Sequence, residues 1–264
     1  TVKCVRFVIT DLLIFVFVGV VALVIRRYAS PYERGFFKDD QSLMFPYHPS
    51  TITSSMLYAV GFTIPVAVIT ITEIHCTYKS MRSGQFAEVS EREKWIMSWF
   101  HIIASFFFGA ACTHLLTDIP KYVIGRLRPH FFDVCNPDWT LVNDTSGYIE
   151  TAICTGSDLD LIQEARLSFP SGHSSMAVYC ALFFILYLES KPVWIDVPLL
   201  RPLVQLIAFS MAFYTCLSRI SDYKHHWSDV LAGGILGTII AFASFRCVKV
   251  SRIIDPTEED GNII

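Results

Sequence analysis

Three short polar clusters interrupt an otherwise apolar chain, and each has residue types suited to handling an anion. The stretch from Ser218 to Asp229 supplies an arginine, a histidine and an aspartate just before an apolar segment. His225 and Asp229 are four residues apart, so on a helix they share a face and come within hydrogen-bonding reach. A carboxylate in that position orients an imidazole as nucleophile or base, and Arg219 would hold an anion beside it. Lys121 and Arg128 are seven apart, two helical turns, and Pro129 disfavours helix at Arg128, which marks the end of that helix. Two cations on one face suit a phosphate, lysine as a point charge and arginine as a planar fork. Ser171, Gly172 and His173 open the third cluster. Small residues at a helix start leave backbone N–H groups and the positive end of the helix dipole facing an anion. Gly172 allows close approach, and His173 can donate a proton to a leaving oxygen.

Each cluster taken alone has a plainer reading. Basic side chains at a span end anchor to lipid head groups, and a serine before a helix caps it. Together the clusters supply three cations, two histidines and a carboxylate, which points to phosphate chemistry. His226 adjoins His225 but faces elsewhere, about 100° around a helix. His114 and Asp118 form another pair four apart, without an adjacent arginine, and read as supporting or structural. His130 is a weaker candidate for substrate contact. The sequence has no Gly-rich phosphate loop and no zinc-type Cys/His spacing. Acidic residues near the clusters are too few for a two-metal phosphatase, so the expectation is metal-independent chemistry without a cofactor.

The elements that must position these residues are membrane spans. Of 264 residues, 53% are hydrophobic and 17% charged, and mean hydropathy is +0.46, a profile outside the soluble range. The net charge of −3 gives no footprint for nucleic acid. The fold class expected is an all-α integral membrane bundle forming a single domain over residues 1–264. Six transmembrane helices are expected at about 7–25, 55–72, 95–116, 172–188, 199–217 and 230–248. Pro65 should kink the second, and the step from Gly233 to Gly237 suits close packing inside the bundle. With six spans, the end of the third, the start of the fourth, the end of the fifth and the start of the sixth lie on one side. Those four places hold all three clusters.

Charge alone does not orient the bundle, because the 21 Lys and Arg divide almost evenly between the two sides. Setting aside Lys121, Arg128 and Arg219, whose charge serves the site, leaves a surplus on the N-terminal side and places both termini in the cytosol. Asn143-Asp144-Thr145 is a glycosylation sequon in the long loop after span three. It agrees with an extracellular or lumenal site. Cys135 and Cys154 share that loop, where an oxidising compartment would permit a disulfide, two free thiols being the alternative. Cys76, Cys112, Cys180 and Cys216 read as packing residues in or near spans.

Lys121-x6-Arg128-Pro129, Pro170-Ser171-Gly172-His173 and Ser218-Arg219-x5-His225-x3-Asp229 resemble the three signatures of the type 2 phosphatidic acid phosphatase superfamily. The stretches Glu33 to Phe37, Gly125 to Phe131 and Ser221 to Asp229 resemble its animal lipid phosphate phosphatase branch. The resemblance implies that His225 attacks phosphorus to form a phosphohistidine, that Asp229 holds its ring, and that His173 protonates the leaving alkoxide. It implies further that Lys121, Arg128 and Arg219, with the backbone N–H groups of Ser171 and Gly172, bind the phosphoryl oxygens. Substrates would be phosphatidate, lysophosphatidate, sphingosine 1-phosphate and ceramide 1-phosphate in a lipid bilayer. The location implied is the plasma membrane, or Golgi and endoplasmic reticulum, and a homo-oligomer is expected. Three rivals fit less well: a catalytically silent phospholipid-binding relative, a superfamily enzyme acting on a sugar phosphate or transferring a lipid head group, and a transporter. The first would lack motif residues. The second would lack the likeness outside the motifs. The third would need Asp11 and Glu73 deep in spans rather than near their ends.

Overall fold

Among the described residues of the computed structural model, six helices are long and apolar enough to cross a membrane. The structure describes residues 2–82, 89–140, 147–151, 153–191 and 198–253. The long helices are α1 (Val2–Tyr28), α2 (Ser54–Arg82), α3 (Val89–Ile124), α6 (Gly172–Glu189), α7 (Leu200–Ser221) and α8 (Trp227–Ile253). Short α4 (Phe131–Cys135) and α5 (Leu159–Glu164), with a two-stranded ribbon of β1 (Phe36–Phe37) and β2 (Tyr148–Ile149), lie between them. The described structure is an all-α bundle with almost no sheet, as the sequence implies.

The helix at the centre is α6, which packs on α8, α7, α3 and α2, while α1 packs on α3. Burial on every side explains why α6 is apolar all round rather than striped. Its Phe183, Tyr179, Tyr187 and Leu188 are fully buried, with Phe106 of α3 and Ile69 of α2. Apolar side chains on α1 and α7, such as Leu12, Phe17, Leu206 and Phe213, point outward, as lipid-facing surfaces do. The closest approach is between α6 and α8. A Cβ on Gly233 would overlap the Ser171 carbonyl oxygen, and one on Gly237 would overlap that of Ser175. The two glycines therefore seat one helix backbone against another inside the bundle.

Most of the spans run further than hydropathy suggests, and two of the extensions carry residues of the polar clusters. Helix α3 continues past 116 to Ile124 and carries Lys121, and α7 continues past 217 to Ser221 and carries Arg219. Polar residues end an apolar window without ending the backbone hydrogen-bond ladder. Helix α2 likewise runs unbroken through Pro65.

Above the bundle a small second core joins Phe36, Leu43, Leu127, Phe131, Cys135, Ile149 and Ala165. Cys135 and Cys154 are joined in a disulfide across it. The chain enters this cap from α3 through Gly125, whose φ of +55° favours glycine and where a Cβ would overlap the Tyr32 carbonyl. Asn143 lies outside the described residues.

Candidate active site

The ends of α3, α7 and the loops before α6 and α8 converge on a polar cavity of about 180 Å³. Lys121, Arg128, Gly172, His173, Arg219 and His225 border it, so six of the eight residues expected to act on phosphate meet in one space. Lys121 reaches over the start of α6, its Nζ lying 3.5 Å from where a Gly172 Cβ would stand.

Asp229 sits behind His225 and has no exposed surface. Helical spacing suggests a direct bond between them, but His225 precedes α8 rather than belonging to it. Its Nδ1 is 3.9 Å from Asp229 Oδ2. Instead Nδ1 lies 2.8 Å from the Ser168 carbonyl oxygen. A carbonyl only accepts, so Nδ1 carries the proton and the neutral ring keeps its lone pair on Nε2. Burial pushes the His225 imidazole well below its ordinary range, helped by the Arg128 and Lys121 cations and opposed by Asp229. That direction favours the neutral ring.

Asp229 is saturated by other donors. Arg126 Nη1 donates to Oδ1 at 2.6 Å, while Oδ2 accepts from Ser168 Oγ at 2.6 Å and from the His226 N–H at 3.1 Å. The last contact is a third-position carboxylate reaching back to the residue that begins the helix, as in a capping box. Ser168 thus touches both partners, its carbonyl on His225 and its hydroxyl on Asp229.

The expected role of Ser171 needs correction. Its N–H donates to the Asp229 carbonyl at 3.0 Å, and its Oγ caps α6 by accepting from the Ser174 N–H. Already bonded and fully buried, Ser171 does not border the cavity, whereas Gly172 does. His130 does not border the cavity either. It is buried, its Nδ1 bonds the Tyr223 carbonyl at 2.7 Å, and burial pushes its pKa down to about 4. His226 ties the motif to Leu127, its Nε2 lying 3.0 Å from that carbonyl.

Arg128 and Arg219 are each ion-paired. Arg128 Nη2 is 3.0 Å from Glu164 Oε1, and Arg219 Nη2 is 2.8 Å from Asp222 Oδ2. Asp222 also accepts from the Thr51 N–H and hydroxyl, which ties the entry to α2 to the end of α7. The Arg128 cation holds the Glu164 carboxyl below its usual range. Among the described residues, Arg128 Nε and His173 Nε2 on the cavity, like His130 Nε2 off it, are buried without a hydrogen-bond partner, and on the cavity that arrangement awaits one.

Several residues on or behind the cavity, among them Lys224, Glu164, Arg126 and Ser168, escape sequence reasoning. Lys224 is a further cation on the cavity, held 3.6 Å over the Tyr47 ring. Burial lowers its pKa to about 8, with Arg128 adding to the effect. Its place beside His225 is the signal that could have found it. Glu164, Arg126 and Ser168 have no sequence signal, because their partners lie far along the chain. Arg26, Tyr58, His114 and Asp118 also border the cavity or its mouth.

The model of the PAP2 superfamily matches residues 98–253. Phospholipid phosphatase 2 of Mus musculus is 39% identical over 257 residues, covering 96% of this chain and 91% of that protein. Phospholipid phosphatase 1 of Rattus norvegicus is 40% identical over 238 residues, covering 89% and 82%. Phospholipid phosphatase 2 of Homo sapiens is 39% identical over 236 residues, covering 89% and 80%. No solved structure matches the chain.

Proposed function

The chain belongs to the PAP2 superfamily, in its phospholipid phosphatase branch, and from that premise we propose that it hydrolyses lipid phosphate monoesters without a metal. The observation that carries the chemistry is the tautomer of His225, whose Nδ1 proton is given to the Ser168 carbonyl. A neutral imidazole with a free Nε2 lone pair beside a cavity lined by Lys121, Arg128, Arg219 and Lys224 is a nucleophile facing a phosphate site. Four cations also stand where metal ions would otherwise neutralise the phosphate, and they would repel one.

In the first step Nε2 attacks phosphorus, forming the N–P bond as the bond from phosphorus to the lipid oxygen breaks. The departing alkoxide takes a proton from His173, whose imidazolium form the bound dianion favours. The cations and the N–H of Gly172 hold the phosphoryl oxygens as charge redistributes, the arginines exchanging their carboxylate partners for phosphate. Asp229, held by Arg126 and Ser168, stabilises the positive charge that His225 acquires. In the second step water attacks phosphorus, His173 accepts its proton, the N–P bond breaks and inorganic phosphate leaves. Phosphatidate, lysophosphatidate, sphingosine 1-phosphate and ceramide 1-phosphate are the proposed substrates. The proposed orientation puts the site on the extracellular or lumenal face, and the proposed location is the plasma membrane or the Golgi and endoplasmic reticulum.

Phosphate release from detergent-solubilised phosphatidate in EDTA tests this reading. Wild type should remain active and His225→Ala should lose at least about a thousandfold in kcat, the scale on which a required nucleophile acts. Turnover by the variant at the wild-type rate would remove His225 from the mechanism, and complete loss in EDTA would require a metal.

A further inference from the structure

One turn from the phosphate site, α3 presents a carboxylate that the mechanism leaves unused. Asp118 lies three residues before Lys121, on the same face and about 4.5 Å nearer the bilayer interior. Its side chain is only 4% exposed, yet the residue borders the cavity. Oδ2 lies 3.2 Å from Arg26 Nε and 3.5 Å from His114 Nδ1, but makes a hydrogen bond with neither. A buried carboxylate oxygen in that state favours a better donor. Arg26 is replaceable there, because its side chain is 56% exposed at the end of α1, a helix with little buried surface of its own.

The order of groups with depth matches a lipid. Lys121 is at the phosphate level and Asp118 is one turn below. Leu57 borders both this cavity and an apolar crevice of about 280 Å³ between α2, α6 and α7. A phosphate held by Lys121 therefore puts the neighbouring backbone carbon at the depth of Asp118, with the hydrocarbon chain beyond it.

We propose that Asp118 is a specificity-determining residue, accepting a hydrogen bond from an ammonium or hydroxyl on the carbon next to the phosphate-bearing carbon of the substrate. The inference rests on the lipid phosphatase reading. Sphingosine 1-phosphate presents an ammonium at that carbon and 1-acyl lysophosphatidate a hydroxyl. Phosphatidate presents an ester there, which can only accept and so gains nothing from a carboxylate. The ammonium gains most, since both partners are then charged.

The test measures kcat/KM of the full-length, detergent-solubilised enzyme on these three lipids. Asp118→Asn should reduce the value for sphingosine 1-phosphate about tenfold to a hundredfold more than for phosphatidate, the range of a charge-assisted hydrogen bond. Lysophosphatidate should fall in between, because an amide oxygen still accepts from a hydroxyl. Asp118→Ala should extend the larger loss to lysophosphatidate. Arg26→Gln, which removes the competing cation, should raise the preference for sphingosine 1-phosphate over phosphatidate, and it gives an independent reading if the Asp118 variants fail to fold. Uniform loss across the three lipids would assign Asp118 to holding α1 on α3 or to balancing Lys121, and would overturn the proposal. An unchanged preference in Arg26→Gln would do the same. Phosphate release from phosphatidate with no discrimination sinks the subsite alone, whereas a wild type that hydrolyses none of the lipids overturns the phosphatase reading as well.

Discussion

The cavity concentrates positive charge, and Lys224 carries a charge there that ordinary buffers can remove. Its pKa of about 8 follows from burial first and from Arg128 and Arg219 next, with Glu164 and Asp222 opposing. The ammonium is present below that pH and is lost above it, so kcat/KM for a lipid phosphate should fall as pH rises through about 8. That quantity reports the free enzyme. Lys224→Arg keeps its charge throughout the range and should make the fall above that pH shallower, by the share that Lys224 contributes. An unchanged fall in a pH profile of the variant would assign it to another group. Lys224 also shows what was legible at this scale. The motif residues could be picked out because their types and spacing sit within a dozen positions of one another. Ser168, Arg126 and Glu164 could not, since each gains its role from a partner in a distant segment: Asp229, Asp229 again, and Arg128. The direct bond from His225 to Asp229 was inferred from helical geometry that begins two residues later, at Trp227.

At the scale of elements, the positions of the histidines depend on how α6 meets α8. His173 is in the first turn of α6, and His225 lies two residues before α8. Ser171 N–H to the Asp229 carbonyl links the two helix entries, and Gly233 and Gly237 let the backbones touch below them. A methyl group at Gly237 would collide with the Ser175 carbonyl, which is backbone and cannot rotate aside. Gly237→Ala should therefore part the helices by a fraction of an ångström to about 1 Å. Misplacement of that size costs up to about a hundredfold in rate. We expect kcat to fall tenfold or more while the protein still inserts and purifies, and Gly237→Val to be worse, as turnover and thermal melting in detergent would show. Wild-type turnover in both variants would mean that this contact does not set the distance between acid and nucleophile. The GxxxG spacing was readable in the sequence, and so were six apolar spans. The helix ends were not, because Lys121 and Arg219 lie in turns that hydropathy counts as loop but backbone hydrogen bonding keeps helical. The cap above the bundle was equally hidden, as β1 and β2 have two residues each and pair across more than a hundred positions.

For the whole molecule, the structure gives the span-count argument a physical form. Only an even number of crossings between the clusters can bring the end of α3, the entry to α6, the end of α7 and the entry to α8 into one cavity. Those four places do border it. The remaining question is which face of the membrane the cavity opens toward, and the segment between α3 and α6 is the place to ask it. That segment follows α3 on the side of the cavity and carries Asn143-Asp144-Thr145. If the site faces the lumen or the cell exterior, Asn143 is available to the glycosylation machinery and the Cys135–Cys154 pair lies in an oxidising compartment. Glycosidase treatment of protein from native membranes should then lower its apparent mass, and Asn143→Gln should abolish the shift without changing phosphate release from solubilised enzyme. The same orientation requires intact cells to hydrolyse a lipid phosphate added outside. Hydrolysis only after permeabilisation, with Asn143 unmodified, would turn the bundle over and place its product in the cytosolic leaflet. The two readouts are independent, since one reports a loop and the other the cavity, and the six-span fold requires them to agree.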